Sequence, residues 1–116
     1  MKGVKGVKIV RRPWGLFKQF VLNEQCTVKI LEVKKNEELS LQKHKHRREE
    51  WYFITSGYVQ LGKKVKKVKE GELVKIGKNV AHRIIARGEN VKVLEVSFGK
   101  FDEHDEIRLE DKYNRK

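Results

Sequence analysis

Residues 44–50 read His-Lys-His-Arg-Arg-Glu-Glu. His44 and His46 are two residues apart, so in a strand both imidazoles leave the same face and can reach one metal ion. Glu50 would lie about 13 Å beyond His46 in a straight strand, so the chain must reverse near residues 47–48 to bring its carboxylate alongside. A turn that is one residue tighter would present Glu49 instead, and the apolar residues 51–54 do not decide between the two.

A third imidazole is available further along the chain. Gly57 follows Glu50 at a spacing that allows a turn, and Gly71 precedes His82 at a spacing that allows a second hairpin. Three nitrogens and one carboxylate are residue types that bind divalent transition metals. We therefore predict one site for a divalent ion (Zn, Fe, Mn, Ni or Co) with four ligands: His44, His46, Glu50 and His82.

Between residues 14 and 99 the sequence consists of short segments rich in Val, Ile, Leu, Phe and Tyr, separated by polar or Gly-containing turns. No long stretch has helical periodicity, so the pattern predicts an all-β domain, either a closed barrel or a two-sheet jelly roll. Residues 102–116 are highly charged, and we expect a short helix or an arm lying on the barrel. The predicted strands cover residues 16–22, 27–34, 39–44, 50–55, 58–61, 65–69, 73–76, 82–86 and 91–98.

Composition limits the size of the core and the class of partner. Of 116 residues, 38% are hydrophobic, so we expect a single domain over residues 1–116 with the barrel at roughly 14–99. Lys and Arg total 28 against 16 Asp and Glu, and this net charge of +12 attracts anions. The lysine-rich residues 63–69 lack interleaved aromatic residues, so we interpret them as a solvated hairpin and expect no nucleic-acid partner.

Cysteine content and hydropathy bear on the compartment. Cys26 is the only cysteine, so no internal disulfide can form, which is typical of a reducing compartment. No apolar run reaches the ~18 residues that span a bilayer, and the basic start lacks the apolar stretch of a signal peptide. We expect a cytoplasmic protein with no membrane partner.

Two motifs give the chain a family resemblance. The spacing His44-x-His46-x3-Glu50-x6-Gly57 resembles the first cupin motif. Gly71-x10-His82 resembles the second cupin motif, with departures at residues 77, 79 and 86. The resemblance implies a cupin-type jelly-roll β-barrel that holds a metal ion at the two motifs.

Further segments resemble one group of cupins more closely. Arg-Pro-Trp-Gly at 12–15, residues 39–47, Ser-Gly at 56–57 and residues 106–115 are similar to the cupin domain of type II mannose-6-phosphate isomerases. That family usually has His at the position of Glu50. It is commonly fused behind a guanylyltransferase, for which this sequence offers neither room nor a Gly-rich nucleotide loop, so we expect the barrel alone.

The resemblance implies a metal-dependent isomerase that interconverts mannose 6-phosphate and fructose 6-phosphate. Alternatives are a non-catalytic metal- or sugar-binding cupin and a cupin enzyme acting on another phosphorylated sugar. A homodimer is expected by the same resemblance. Isomerisation needs a base, for which the candidates are Glu49, Lys43 and Glu95. A phosphorylated sugar needs cationic anchors, for which the candidates are Arg108, Arg115 and Arg12, and Gln42 is expected to contact substrate or metal.

Overall fold

The structure, a computed structural model, describes residues 7–100 and 102–111. Its regular structure is β-strand apart from one short 3-10 turn at Glu103–Asp105. Within these residues no helix is long and apolar enough to cross a membrane. The strands are β1 (Lys8–Arg12), β2 (Gly15–Gln19), β3 (Cys26–Val33), β4 (Leu41–His44), β5 (Glu49–Phe53), β6 (Gly57–Leu61), β7 (Lys64–Val68), β8 (Leu73–Ile76), β9 (His82–Ile85), β10 (Val91–Phe98) and β11 (Glu106–Glu110).

Two antiparallel sheets form the body of the domain. One has the strand order β3-β10-β5-β8 and the other β11-β4-β9-β6-β7, while β1 and β2 pair only with each other. The two sheets do not close into a continuous barrel, so the fold is a two-sheet jelly roll, one of the two architectures that the sequence predicts. Both sheets contribute to the core between them: Val33, Trp51, Phe53, Val74, Ile76, Val91 and Val93 from the first, and Val59, Val68 and Ile84 from the second.

The inner face of the four-stranded sheet changes from apolar to polar along the strands. Phe53 of β5 faces Val93 of β10, and both side chains are fully buried. Toward the start of β5, the next inward pair is Trp51 with Glu95, and the pair after that is Glu49 with Ser97. Because side chains at this spacing share a face, the strands that build the core also carry polar groups into one end of the jelly roll.

Residues 102–111 form an additional edge strand. β11 pairs with β4, placing Glu106 beside His44. The Asp105 carboxylate accepts hydrogen bonds from the backbone amides of Lys45 and His46 at 2.9 and 3.0 Å. Of the two predicted alternatives, the short helix is wrong for these residues, whereas the segment lies on the barrel as a sheet strand that follows a 3-10 turn.

The predicted strands coincide well with the observed ones between residues 15 and 98. Residues 73–76 and 91–98 match β8 and β10 at both ends, whereas β1 and β11 were not predicted. Gly57 opens β6 where a Cβ atom would lie 2.8 Å from Val91, so close packing requires glycine there.

The lysine-rich segment lies in the hairpin of β6 and β7, as predicted. β7 is the outer strand of its sheet, and all of its side chains except Val68 are exposed. Lysines on an edge strand oppose pairing with another chain, which accounts for the run without a nucleic-acid role. The absence of a nucleic-acid partner stays a prediction.

Candidate metal centre

Three buried side chains from three strands meet at the polar end of the jelly roll. His44 ends β4, Glu49 begins β5 and His82 begins β9, and each is at most 3% exposed. One possible ligand atom from each lies within 4.8 Å of the other two. Glu49 Oε1 is 3.4 Å from His82 Nε2 and 3.7 Å from His44 Nδ1.

The hydrogen bonding of this cluster suits a metal ion. His82 Nδ1 is 2.7 Å from the carbonyl oxygen of Val80, so Nδ1–H donates and the lone pair lies on Nε2. Within residues 7–100 and 102–111, His44 Nε2, Glu49 Oε1 and His82 Nε2 are buried without a hydrogen-bond partner. A buried polar atom left unpaired costs about 1–3 kcal/mol. Two imidazoles and a carboxylate with ligand atoms within 4.8 Å of one another, and with buried unpaired atoms on each residue, fit a divalent transition metal.

The protonation states of His44 and Glu49 also suit metal binding. Burial lowers the pKa of His44 from 6.5 to about 4. Burial alone would raise the pKa of Glu49, but contact with His82 and the hydrogen bond from Ser97 outweigh it and lower that pKa to about 2. At neutral pH the site therefore holds a neutral imidazole and an ionised carboxylate, the forms that bind metal.

The structure does not bring two of the four predicted ligands into this cluster. Glu49 points inward on β5, on the same face as Trp51. Glu50 lies on the opposite face, where it is 8% exposed and has an Oε2 atom 3.7 Å from Arg48 Nη1. The turn after β4 is thus the tighter of the two that the sequence allowed. His46 lies in that turn with an exposed side chain, away from His44 and His82. We therefore leave His46 and Glu50 out of the ligand set that is proposed below.

A cavity of about 870 Å³ opens from this cluster. Gln42 lines it and is two residues from His44 on β4, so its amide shares the face of the imidazole. Lys43 points to the opposite face and does not line the cavity. The lining residues are Lys29, Leu31, Leu39, Gln42, His44, Arg47, Glu49, Trp51, His82, Glu95, His104, Glu106, Arg108, Leu109, Glu110 and Asp111.

Glu95 is a second buried carboxyl group in the cavity. It is 8% exposed, and its Oε2 accepts a 3.0 Å hydrogen bond from Trp51 Nε1. Burial and the negative charge of Glu49 raise its pKa. A carboxyl group with a raised pKa beside a metal centre has the properties of a proton-transfer group.

The three predicted phosphate anchors differ in position. Arg108 lines the cavity from β11, and its Nε lies 2.9 Å from Glu106 Oε2. Arg12 lies on the exposed β1–β2 hairpin, with its guanidinium 5.6 Å from the ring centre of Phe17, and does not line the cavity. Arg115 lies outside the described residues.

Two residues that contact Glu49 were not predicted from the sequence. Ser97 Oγ donates to Glu49 Oε2 at 2.6 Å, and Arg47 Nε donates to the same oxygen at 3.2 Å. Ser97 is two residues from Glu95 on β10, so both side chains point inward. This alternation can be read from the sequence. No local pattern shows that Arg47 turns inward, because this depends on the path of the loop after β4.

A sequence model of the family described as mannose-6-phosphate isomerase C-terminal matches residues 2–111. The chain belongs to this family. It is 34% identical over 109 residues both to the xanthan biosynthesis protein XanB of Xanthomonas campestris and to the mannose-1-phosphate guanylyltransferase ManC of Salmonella typhimurium. Each alignment covers 91% of this chain and 23% of the relative. The chain thus corresponds to about a quarter of the length of these relatives.

Solved structures confirm the cupin prediction. A cupin 2 conserved barrel protein from Rhodopseudomonas palustris superposes with a TM-score of 0.63 and 23% identity, over 69% of this chain and 56% of that protein. The oxalate decarboxylase of Bacillus subtilis gives a TM-score of 0.67 and 26% identity, over 74% of this chain and 24% of that protein. Members of this fold family therefore include enzymes.

Proposed function

We propose that this family member is a metal-dependent aldose-ketose isomerase that interconverts mannose 6-phosphate and fructose 6-phosphate. The main support is the set of unpaired ligand atoms on His44, Glu49 and His82, which lies in a cavity that also contains a buried carboxyl group. Gln42 lines the same cavity on the face of His44, and we propose its amide oxygen as a fourth ligand. A bound divalent ion would act as a Lewis acid for the negative charge that develops on substrate oxygens.

Among the base candidates, Glu95 fits best. Glu49 is the proposed ligand, and a carboxylate bound to a metal is a weak base. Lys43 points away from the cavity. Glu95 lines the cavity, and its carboxyl oxygen is oriented by Trp51. We propose that Glu95 takes the proton from one sugar carbon and returns it to the neighbouring carbon.

The phosphate group of the substrate is proposed to bind Arg108. This guanidinium lies in the cavity lining on β11, where it also contacts Glu106 through Nε. A guanidinium has five N–H donors, so a contact through Nε is compatible with a phosphate at its outer edge. Arg12, on the separate hairpin, is the weaker candidate, and the role of Arg115 stays a prediction.

A coupled assay with mannose 6-phosphate and several divalent metals tests the activity. We expect turnover that disappears with a chelator. Arg108→Ala should raise KM with little change in kcat, because an anchor remote from the reacting carbons contributes nearly equal binding to ground and transition states. Arg12→Ala serves as the matched control and should have a smaller effect on KM.

The second candidate is a metal- or sugar-binding cupin without turnover, or an enzyme acting on a different phosphorylated sugar. We retain this second candidate because the relative ManC is called a mannose-1-phosphate guanylyltransferase and not an isomerase, and because this chain covers only 23% of its length. Metal-loaded protein with no turnover on mannose 6-phosphate would rule out the isomerase in favour of this second candidate.

We also propose that two copies of the chain associate through apolar residues outside the cavity. The β1–β2 hairpin forms a separate two-stranded sheet, and Trp14 at its tip is 72% exposed. Two-stranded hairpins are marginally stable by themselves. On the edge strand β3, Val28 and Ile30 are 55% and 51% exposed. Phe17 of β2 and Val28 of β3 line one pocket, so the two elements are neighbours and offer apolar surface to a second copy.

Light scattering tests this homodimer. Wild-type protein should have the mass of two chains, and Val28→Glu with Ile30→Glu should shift it toward one chain, because charges would be buried in the interface. Val65→Glu is the matched control, since Val65 is 43% exposed on β7, away from β3. A wild-type mass of one chain at high protein concentration would contradict the proposal.

A further inference from the structure

The two oxygens of the Glu49 carboxylate have different surroundings. Oε2 accepts hydrogen bonds from Ser97 Oγ at 2.6 Å and from Arg47 Nε at 3.2 Å. Both donors are buried, with Ser97 at 2% and Arg47 at 5% exposure. Hydrogen bonds to an ionised carboxylate are roughly twice as strong as neutral ones, and two of them fix the orientation of the group. Oε2 is therefore held by two buried donors.

Oε1, the other oxygen of Glu49, has no such hydrogen-bond donors among the described residues. It is buried without a hydrogen-bond partner among the described residues and lies 3.4 Å from His82 Nε2 and 3.7 Å from His44 Nδ1. A metal ion placed between the imidazoles can be reached by Oε1. For Oε2 to bind the same ion, the carboxylate would have to reorient against the hydrogen bonds from Ser97 and Arg47.

Arg47 makes one further contact that restrains it. Its Nη1 donates at 2.9 Å to the carbonyl oxygen of Asp102. The side chain that holds Glu49 is thus itself held by the segment leading into β11.

We infer that Ser97 and Arg47 are positioning residues that restrict Glu49 to binding the metal through Oε1 alone. This inference rests on the proposed metal centre. Neither Ser97 nor Arg47 is proposed to contact metal or substrate. The consequence is a low coordination number, because a carboxylate that binds through one oxygen leaves room at the ion for substrate oxygens.

Binding of Co²⁺ to the purified full chain tests the inference. Ser97→Ala removes one restraint and is expected to weaken Co²⁺ binding about 10- to 100-fold in competition with a chelator. Its visible absorption bands should also weaken, because Glu49 can then bind through both oxygens and the coordination number rises. Ser97→Thr keeps the hydroxyl group and should restore both properties. Ser40→Ala, at an equally buried serine that does not line the cavity, should behave as wild type.

Thermal unfolding without metal shows which variants are folded. If Ser97→Ala does not fold, Arg47→Gln, in the loop after β4, gives the same test with the same expected direction. Wild-type protein that binds Co²⁺, with Ser97→Ala or Arg47→Gln matching its affinity and spectrum, would overturn the inference alone. Wild-type protein that binds no Co²⁺ would overturn the proposed metal centre as well.

Discussion

Glu49→Gln is expected to weaken binding of a divalent metal by more than about 100-fold, beyond the 10- to 100-fold typical of changes outside the ligand shell. The substitution replaces the inward carboxylate by a neutral amide at almost constant volume. The two neighbouring glutamates provide the comparison. Glu50→Gln should bind metal with nearly wild-type affinity, because Glu50 points outward beside Arg48. Calorimetric titration with Zn²⁺ or Mn²⁺ measures both.

The histidines give an independent version of the same comparison. His44→Ala and His82→Ala should each lose metal, whereas His46→Ala should retain it, since His46 is exposed. Circular dichroism of each variant checks that the fold is intact. Loss of binding in Glu50→Gln together with retention in Glu49→Gln would show that the outward carboxylate is the ligand and that the site assignment is wrong.

Glu95→Gln is expected to lower kcat by about 10²- to 10⁴-fold, the usual contribution of a general base. Metal affinity should not change, because Glu95 lies outside the His44, Glu49 and His82 cluster. The amide oxygen of Gln can still accept the hydrogen bond from Trp51. Stability should not fall, since burial already disfavours the charged form of Glu95. Steady-state kinetics of the metal-loaded protein measure the effect.

Lys43→Gln is the matched control for Glu95→Gln. Both positions are base candidates in the sequence, but Lys43 faces away from the cavity and its substitution should leave kcat near the wild-type value. Full activity in Glu95→Gln would exclude Glu95 as the base. A large loss in Lys43→Gln would show that the cavity is not where the proton is transferred.

The sequence predicts a large part of this molecule because much of its information is local. Alternating apolar residues and glycine-containing turns predict β3 to β10 nearly at their observed ends. The types and spacing of His44 and His82 identify two members of the candidate site. These features depend on strand parity and hairpin length, which a single sequence displays directly.

The choice between Glu49 and Glu50 depends on a contact that local sequence does not contain. The amides of Lys45 and His46 bind the Asp105 carboxylate, about sixty residues further along the chain. This contact restrains the turn after β4, which precedes the first residue of β5. A shift of one residue there exchanges the inward and outward carboxylates.

The missed strands have a related cause. β11 contains Glu106, Arg108 and Glu110, and such a charged segment has low intrinsic strand preference. Its structure comes from hydrogen bonding along β4, a tertiary interaction. β1 is likewise formed by pairing with β2, and its basic residues give little alternating signal.

The pairing of β11 with β4 and of β10 with β3 joins segments about sixty residues apart. Loop-closure entropy must be overcome before such distant contacts stabilise the chain, so folding of this topology is slow compared with a domain of local contacts. His44, Glu49 and His82 come from three different strands, so the cluster they form depends on the assembled sheets. A metal ion at the proposed centre would then bind an already folded protein, and metal supply would govern occupancy of the site rather than the yield of folding.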